Sequence, residues 1–326
     1  MQYLKNPDLK TIRPDWEGNP FKNNQFQYIE TPFYPSFRKL LKWQLSGNPQ
    51  RQEKKSDNWR PEVYTGTSFL DSGEDFITWL GHASFLIQIN GIRLITDPVL
   101  FDLPFLPRFV RPAFPLSALH SVDYILLSHD HRDHCDRKSI KLLLENNQPK
   151  KILSALGLRK VIQKWVGNTA IEEAAWYQVF DTEGIEITYL PTRHWSRRSL
   201  NDFNQVLWGA FMIRANGKTV YFGSDSGYGA HYKETAKLLP DIDVAMLGIG
   251  AYMPPMMMQE IHKNPEEAMQ AFLDLGAQSM IPMHYGTYDL SDEPISEPYH
   301  RVQASFEEHG IRDKLFPLGV GEPMFF

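Results

Sequence analysis

The stretch SHDHRDHCD, residues 128–136, places three histidines and three aspartates within eight positions, directly after the apolar run VDYILL. Such groups are costly to take out of water unless each finds a partner. A bound cation is a partner that imidazole and carboxylate can share. In an extended loop His129 and His131, two apart, can face one ion, while Asp133 and His134 beyond the bend can reach another. Three more strand-like runs end in the same kind of residue: ITYLPTR in His194, VYFGS in Asp225 and MIPM in His284. Imidazole with carboxylate suits Zn2+, Mn2+ or Fe2+, and the absence of thiolates disfavours a structural zinc site. Seven ligands exceed what one tetrahedral ion takes and suffice for two ions sharing a carboxylate. Two ions roughly 3.5–4 Å apart can lower the pKa of a water to about 7 and clamp both oxygens of a displacement. A displacement at an oxygen-bonded centre is one chemistry such a pair would support.

The neighbours of these residues have plainer readings. Cys135 reads as a small buried hydrophobe. Asp136 reads as the cap of a helix that starts at residues 136–137. Asp130 alternates away from the ligand face and is expected to be solvated or bonded to backbone.

Elements that could position the ligands are legible around them. FITWLGHASFLIQIN and GIRLITDPVL read as two strands joined at Asn90-Gly91, and a second hairpin turns at Asn216-Gly217. VDYILLS, KKILSAL, GIEITYLPT, DVAMLGIG and SMIPMHYG read as further strands. DRKSIKLLLEN, LRKVIQKWV and NPEEAMQAFLDLG read as helices, the last with Asn264 as cap, Pro265 at its first position and Gly276 past its end. Strands separated by helices, with hairpins, predict mixed sheets covered by helices. In such layouts ligand residues gather at strand C-termini, where these fall.

Residues 1–75 differ from residues 76–326. They are rich in Asn, Pro, Lys and Arg and read as an extended arm packed on the main body, with one short helix. That helix starts near Ser36. Phe37, Leu40, Leu41 and Leu45 recur at helical spacing, Arg38, Lys39 and Lys42 fill the other face, and RQEKKSDNW reads as a polar loop after it.

The chain has 326 residues, 42% hydrophobic and 22% charged, a soluble globular balance. A net charge of −5 argues against a general nucleic-acid binder. One cysteine rules out an intrachain disulfide framework and fits a cytoplasmic location. MQYLKNPDLKTIRPDW lacks the apolar core of a signal peptide, and no apolar run reaches spanning length, so the expectation is a protein that does not cross a membrane. Peripheral placement at the inner membrane surface stays open.

The set H-D-H-R-D-H with His194, Asp225 and His284 resembles the metallo-β-lactamase superfamily. TWLGHASFLI, ITDP, RHWSRRSL, VLWGAF, GSDSGYG, IGAY, NPEEA and HYGTY narrow the resemblance. They are similar to stretches of the N-acylphosphatidylethanolamine phospholipases D and of bacterial proteins related to L-ascorbate-6-phosphate lactonase. The likeness runs from about residue 30 to the end. It implies an α/β fold, an αββα sandwich of two mixed β-sheets flanked by helices, with two divalent ions, Zn2+ before Mn2+ or Fe, at one edge. It assigns His129, His131 and His194 to the first ion, Asp133, His134 and His284 to the second, and Asp225 to the bridge. Asp97 in ITDP, and His82 in GHAS, would support the ligands from behind. Asp133 would also accept a proton or pass one to the leaving group, so Asp133 and Asp225 are the catalytic candidates.

For substrate contacts, Trp195, Arg197 and Arg198 follow a proposed ligand, and Arg suits phosphate. Tyr252 opens the adaptable apolar run YMPPMMM, whose other readings are core packing or a homodimer contact. Tyr285 follows His284. The first functional reading is a phospholipase D acting on N-acylphosphatidylethanolamine-like lipids, with peripheral membrane contact through residues 36–45. The alternative is a lactonase or other hydrolase of small esters or phosphoesters. A di-iron redox protein is the third.

Overall fold

Val, Ile, Phe, Tyr and Trp crowd the segments after residue 75, and such residues favour a pleated, buried surface. In the computed structural model, which describes residues 1–28 and 33–326, those segments are strands. The start of the family likeness near residue 30 lies outside the described residues.

The N-terminal part holds β1 (Gln2–Leu4), β2 (Lys10–Thr11), β3 (Asn19–Lys22), β4 (Gln25–Phe26), α1 (Phe37–Ser46) and α2 (Arg51–Ser56). Next come β5 (Phe76–Gly81), β6 (Ser84–Ile89), β7 (Ile92–Thr96), β8 (Tyr124–Leu127), α3 (Arg137–Asn146), β9 (Lys151–Ala155), α4 (Arg159–Ile162) and β10 (Ile171–Ala174). The second half adds β11 (Gln178–Val179), β12 (Glu186–Leu190), β13 (Ala210–Ala215), β14 (Lys218–Phe222), α5 (His231–Leu238), β15 (Val244–Gly248), α6 (Pro255–Met258), α7 (Pro265–Leu275), β16 (Ser279–Met283), α8 (Glu297–Glu308) and β17 (Pro323–Phe325).

Among the described residues these strands form two seven-stranded sheets and a small N-terminal one. The first sheet runs β10-β9-β8-β7-β6-β5-β17, and the second β16-β15-β14-β13-β12-β11-β2. Each is mixed. Strands β7 to β10 are parallel and β5 to β7 antiparallel; β14 to β16 are parallel and β11 to β14 antiparallel. Parallel strands need covered faces, and β8, β15 and nearly all of β9 and β16 are buried. The sheets meet face to face, with the Phe85 ring of β6 edge-on to Phe222 of β14 at 6.4 Å. This is the mixed-sheet α/β architecture expected.

The helices show why their sequences stop and start where they do. The Asp136 carboxylate accepts from the Ser139 N–H at 2.8 Å and caps α3. Asn264 and Glu267 form a reciprocal capping box on α7, and Gly276 ends it in the left-handed conformation. The Asn90-Gly91 and Asn216-Gly217 turns both take positive φ at each residue, as two-residue hairpins require.

Several expectations are corrected. FITWLGHASFLIQIN is a hairpin of β5 and β6 that turns at His82-Ala83, where His82 takes φ 56°. RQEKKS is α2 rather than a loop. LRKVIQKWV supplies only the single turn of α4. Among the described residues of 1–75 there are four short strands, two α-helices and a 3-10 turn at Ser68–Asp71 rather than one helix, and β2 extends the second sheet by pairing with β11. Short polar segments carry weak periodicity, and contacts made far along the chain decide them.

Candidate active site

Six strands deliver side chains to one edge of the sandwich, all from their C-terminal ends. Just beyond β5 stands His82, beyond β7 Asp97, beyond β8 the stretch His129–His134, beyond β12 His194, beyond β14 Asp225, and beyond β16 His284. Backbone strain gathers there too: His82, Asp97, Ser224, Ala251 and His284 all have positive φ without being glycine. Such strain persists only where surrounding structure enforces it, and it is typical of functional sites.

The structure brings all seven proposed ligands together. His129 Nε2 lies 2.9 Å from His131 Nδ1, and His194 Nε2 lies 3.1 Å from the same Nδ1. These three nitrogens with Asp225 form one group able to hold an ion. A second group is His82, Asp133, His134 and His284. Asp225 stands between them. Its Oδ2 is 3.1 Å from His134 Nε2 and 3.6 Å from His194 Nε2, and its Oδ1 is 3.1 Å from His284 Nε2.

These donors fit divalent ions. His134 Nε2 and both ring nitrogens of His284 are buried yet make no well-aligned hydrogen bond within the protein. Buried polar atoms left so are rare and need an explanation. Five imidazoles and two carboxylates converging at these separations supply it, because each nitrogen offers a lone pair toward a shared point.

A further layer fixes which nitrogen is offered. Asp97 Oδ2 accepts from His134 Nδ1 at 2.8 Å, which turns Nε2 toward Asp225 and Asp133. The same carboxylate takes the Ser128 N–H at 2.8 Å and the Ser128 hydroxyl at 2.6 Å. His194 Nδ1 donates to the Ile261 carbonyl at 2.9 Å, leaving Nε2 to face His131. Partners of this kind hold ligand tautomer and orientation. Gly250 completes the packing, since a Cβ there would collide with the carbonyl oxygen of His284.

The charges are coupled. Burial opposes charge on His134, but Asp225 and Asp133 outweigh it and hold its pKa well above the usual imidazole value. Burial would raise the pKa of Asp225, and His134, His284 and His262 reverse that and hold the carboxylate ionised. His129 is driven well below its ordinary value by burial and by neighbouring histidines, so it presents a neutral ring. Neutral imidazole and ionised carboxylate are the forms that bind cations, so an ion would displace the protons that Asp225 and Asp133 hold on His134 and His284.

The pocket over this cluster measures about 500 Å3 and is mainly apolar. His131, Asp133, Asp225 and His284 form its floor; Phe33, Phe37 and Leu40 rise on one side and Met257, Met258 and Ile261 on another. Trp195 also lines it, its ring 4.9 Å from His131. Arg197 also lines it, its guanidinium donating to the carbonyls of Ser199 and Leu200.

Other expected contacts fall elsewhere. Arg198 donates from one nitrogen to the carbonyls of Asp130 and Cys135, both at 2.8 Å, and lies over the Trp165 ring. It clamps the ligand loop and does not line the pocket. The Tyr252 hydroxyl is held by Glu297 at 2.6 Å, with Arg301 over its ring. Tyr285 stacks on Trp79 at 5.1 Å and lines a smaller adjoining cavity. Asp130 is buried rather than solvated, beside Arg198 and Asp202, and burial pushes its pKa up to about 7. His82 supports a proposed ligand as expected, its Nε2 3.1 Å from Asp133 Oδ2, and it also lies within reach of His134 and His284. His262 was missed by the sequence reading. Its ring lies 5.2 Å from both His194 and His284, and it groups with Asp225 and His284. Its one signal is a place two residues before the α7 cap, where the chain must be ordered.

Comparisons with known proteins agree with this geometry. The family model described as the beta-lactamase superfamily domain matches residues 93–285, more than half of the chain. An uncharacterized protein of Mycobacterium tuberculosis is 33% identical over 260 residues, spanning 76% of this chain and 68% of that one. The N-acyl-phosphatidylethanolamine-hydrolyzing phospholipase D 1 of Caenorhabditis elegans is 29% identical over 331 residues, spanning 94% of this chain and 89% of its own. Among solved structures, an isothiocyanate hydrolase from Delia radicum gut bacteria superposes with a TM-score of 0.62 at 18% identity, over 77% of this chain and 98% of that one. The chain belongs to the metallo-β-lactamase superfamily and is a metal-dependent hydrolase of that group.

Proposed function

We propose that this hydrolase cleaves the phosphodiester of N-acylated phosphatidylethanolamine-like lipids, releasing phosphatidate. The observation that carries the reading is the pocket, a mostly apolar chamber of about 500 Å3 set directly on the ligand cluster. A small sugar-phosphate lactone would leave the Phe33, Phe37, Leu40 and Met257 wall unused, whereas an acyl chain would cover it. The worm phospholipase D, similar along nearly the whole chain, supports the same substrate class.

Two divalent ions, Zn2+ in our reading, would be held by His129, His131, His194, Asp133, His134 and His284 with Asp225 between them, and would supply Lewis-acid charge and a nucleophile at neutral pH. The protein's own groups do the rest. Asp133, partly open to the pocket and bonded to His82, is placed to take a proton from the attacking group or pass one to the leaving alkoxide. Trp195 and the Met257–Met258 edge orient the apolar part of the lipid and exclude water. Arg197 of the pocket lining faces a phosphate oxygen or headgroup.

The test is a panel of three substrates: N-acylphosphatidylethanolamine, bis(p-nitrophenyl) phosphate and a sugar-phosphate lactone. The expected result is the highest kcat/KM for the lipid, with phosphatidate and N-acylethanolamine as products. Faster opening of the lactone, with no phosphatidate from the lipid, would overturn the reading.

A further inference from the structure

We infer that the outer face of α1 is the surface by which this chain docks on an anionic lipid bilayer, presenting the pocket mouth to the headgroups. The inference rests on the lipid-phosphodiester reading above and adds the partner and the contact face.

Helix α1 buries no residue. Phe37, Leu41 and Leu45, spaced four apart, are exposed by 76%, 44% and 78%. A stripe of that spacing lies on one side of a helix, and among the described residues it is left largely uncovered. Leu40, by contrast, turns inward and lines the pocket. The helix therefore has an inner apolar edge toward the ligand cluster and an outer apolar edge toward solvent. Phe37 belongs to both, at the mouth. Arg197, which lines the same pocket, donates to the carbonyl of Leu200, a second apolar side chain left 84% exposed.

Charge identifies the occupant. Residues 36–56 carry six cations against Glu53 alone, in a chain whose net charge is −5; Lys39 and Lys54 pair with Glu260 and Asp289, and Arg38, Lys42, Arg51 and Lys55 make no ion pair among the described residues. Positive charge is thus concentrated beside the apolar stripe, the combination that holds a helix in the plane of an anionic membrane surface. A second copy fits poorly. A two-fold contact through α1 would set the cationic helix of one copy against that of the other, Arg38 toward Lys42 across the axis, with like charges opposed.

Flotation of the metal-loaded full chain tests this with vesicles of phosphatidylcholine alone and of phosphatidylcholine mixed equally with phosphatidylglycerol. The wild type should float with the mixed vesicles, release at high salt, and stay behind with the neutral ones. Leu41→Ser/Leu45→Ser should lower partitioning at least about tenfold, and Arg38→Gln/Lys42→Gln roughly thirtyfold. Leu41 and Leu45 do not line the pocket, so the first variant should still cleave soluble bis(p-nitrophenyl) phosphate at the wild-type rate, which also shows that it folds. Wild-type protein that ignores anionic vesicles, or a Leu41→Ser/Leu45→Ser variant that floats equally well, overturns the docking surface. So does a wild-type dimer in sedimentation velocity that the same variant converts to monomer, because the occupant is then a second copy. If docking holds and no phosphodiester is cleaved, the substrate reading fails while the docking surface stands.

Discussion

The floor and the α1 wall of one pocket are held in opposite ways. On the floor, ligands arrive from the ends of buried strands, and partners such as Asp97 and the Ile261 carbonyl fix the orientation of their rings. On the wall, α1 buries nothing and is fastened to α6 and its surroundings by few side chains: Trp43 Nε1 donates to Asp292 at 2.6 Å, and exposed Lys39 reaches Glu260 at 3.4 Å. Metal chemistry demands positions fixed within fractions of an ångström. Admission of a large, flexible apolar substrate is better served by an element of low local stability. Damage to the floor should therefore abolish chemistry on every substrate, and damage to the wall should discriminate between them.

The largest effect is expected for Asp225→Asn. It removes the carboxylate between the two ligand groups, and activity on any substrate should fall by about three orders of magnitude or more. Metal content measured by plasma emission should fall with it. Full activity with lost metal would break the contrast at its root.

Asp97→Ala should rank next. It leaves the His134 Nδ1 proton and the Ser128 groups without their acceptor, and metal affinity should drop about 10- to 100-fold. Competition with a chromophoric chelator measures it. At saturating metal most of the rate should return, which separates support from ligation.

Trp43→Phe should act on the wall alone. Losing a hydrogen bond to a carboxylate costs about 1.5–3 kcal/mol, here spent on the docking of α1 rather than on the fold. KM for a lipid substrate should rise several-fold while kcat/KM for bis(p-nitrophenyl) phosphate stays put. An equal loss on both would mean that α1 supports the floor.

Cys135→Ala should change least. The thiol is fully buried, and burial pushes its pKa up to about 12, so it is inert at neutral pH. Stability should fall by about 1–2 kcal/mol through lost packing, read by urea denaturation, with activity and thiol-reagent sensitivity unchanged.

The same contrast explains what the sequence made legible. His129, His131, Asp133 and His134 stand out because their density admits few explanations other than an ion. His194, Asp225 and His284 share a placement at strand ends that repeats along the chain. His262 escaped because it is a lone histidine in a loop, brought near Asp225 only by the packing of α7. Arg198 looked like a substrate contact beside Trp195; its side chain turns to the carbonyls of the ligand loop, a direction that residue type does not encode. The β5–β6 turn was hidden because His82-Ala83 lacks the Asn-Gly signature, and His82 accepts its positive φ through an N–H bond to Thr287 Oγ1 at 2.7 Å. On α1 the apolar spacing was legible, but the split between Leu40 inward and Leu41 outward needed the tertiary structure.

The most direct test is a metal titration. Chelated protein is given increasing Zn2+ or Mn2+, and phosphatidate released from N-acylphosphatidylethanolamine is followed by mass spectrometry. Release should be absent without metal, rise with added ion and saturate at two ions per chain. Phosphatidate released by fully chelated protein, or none with two ions bound, would contradict a dinuclear lipid phosphodiesterase.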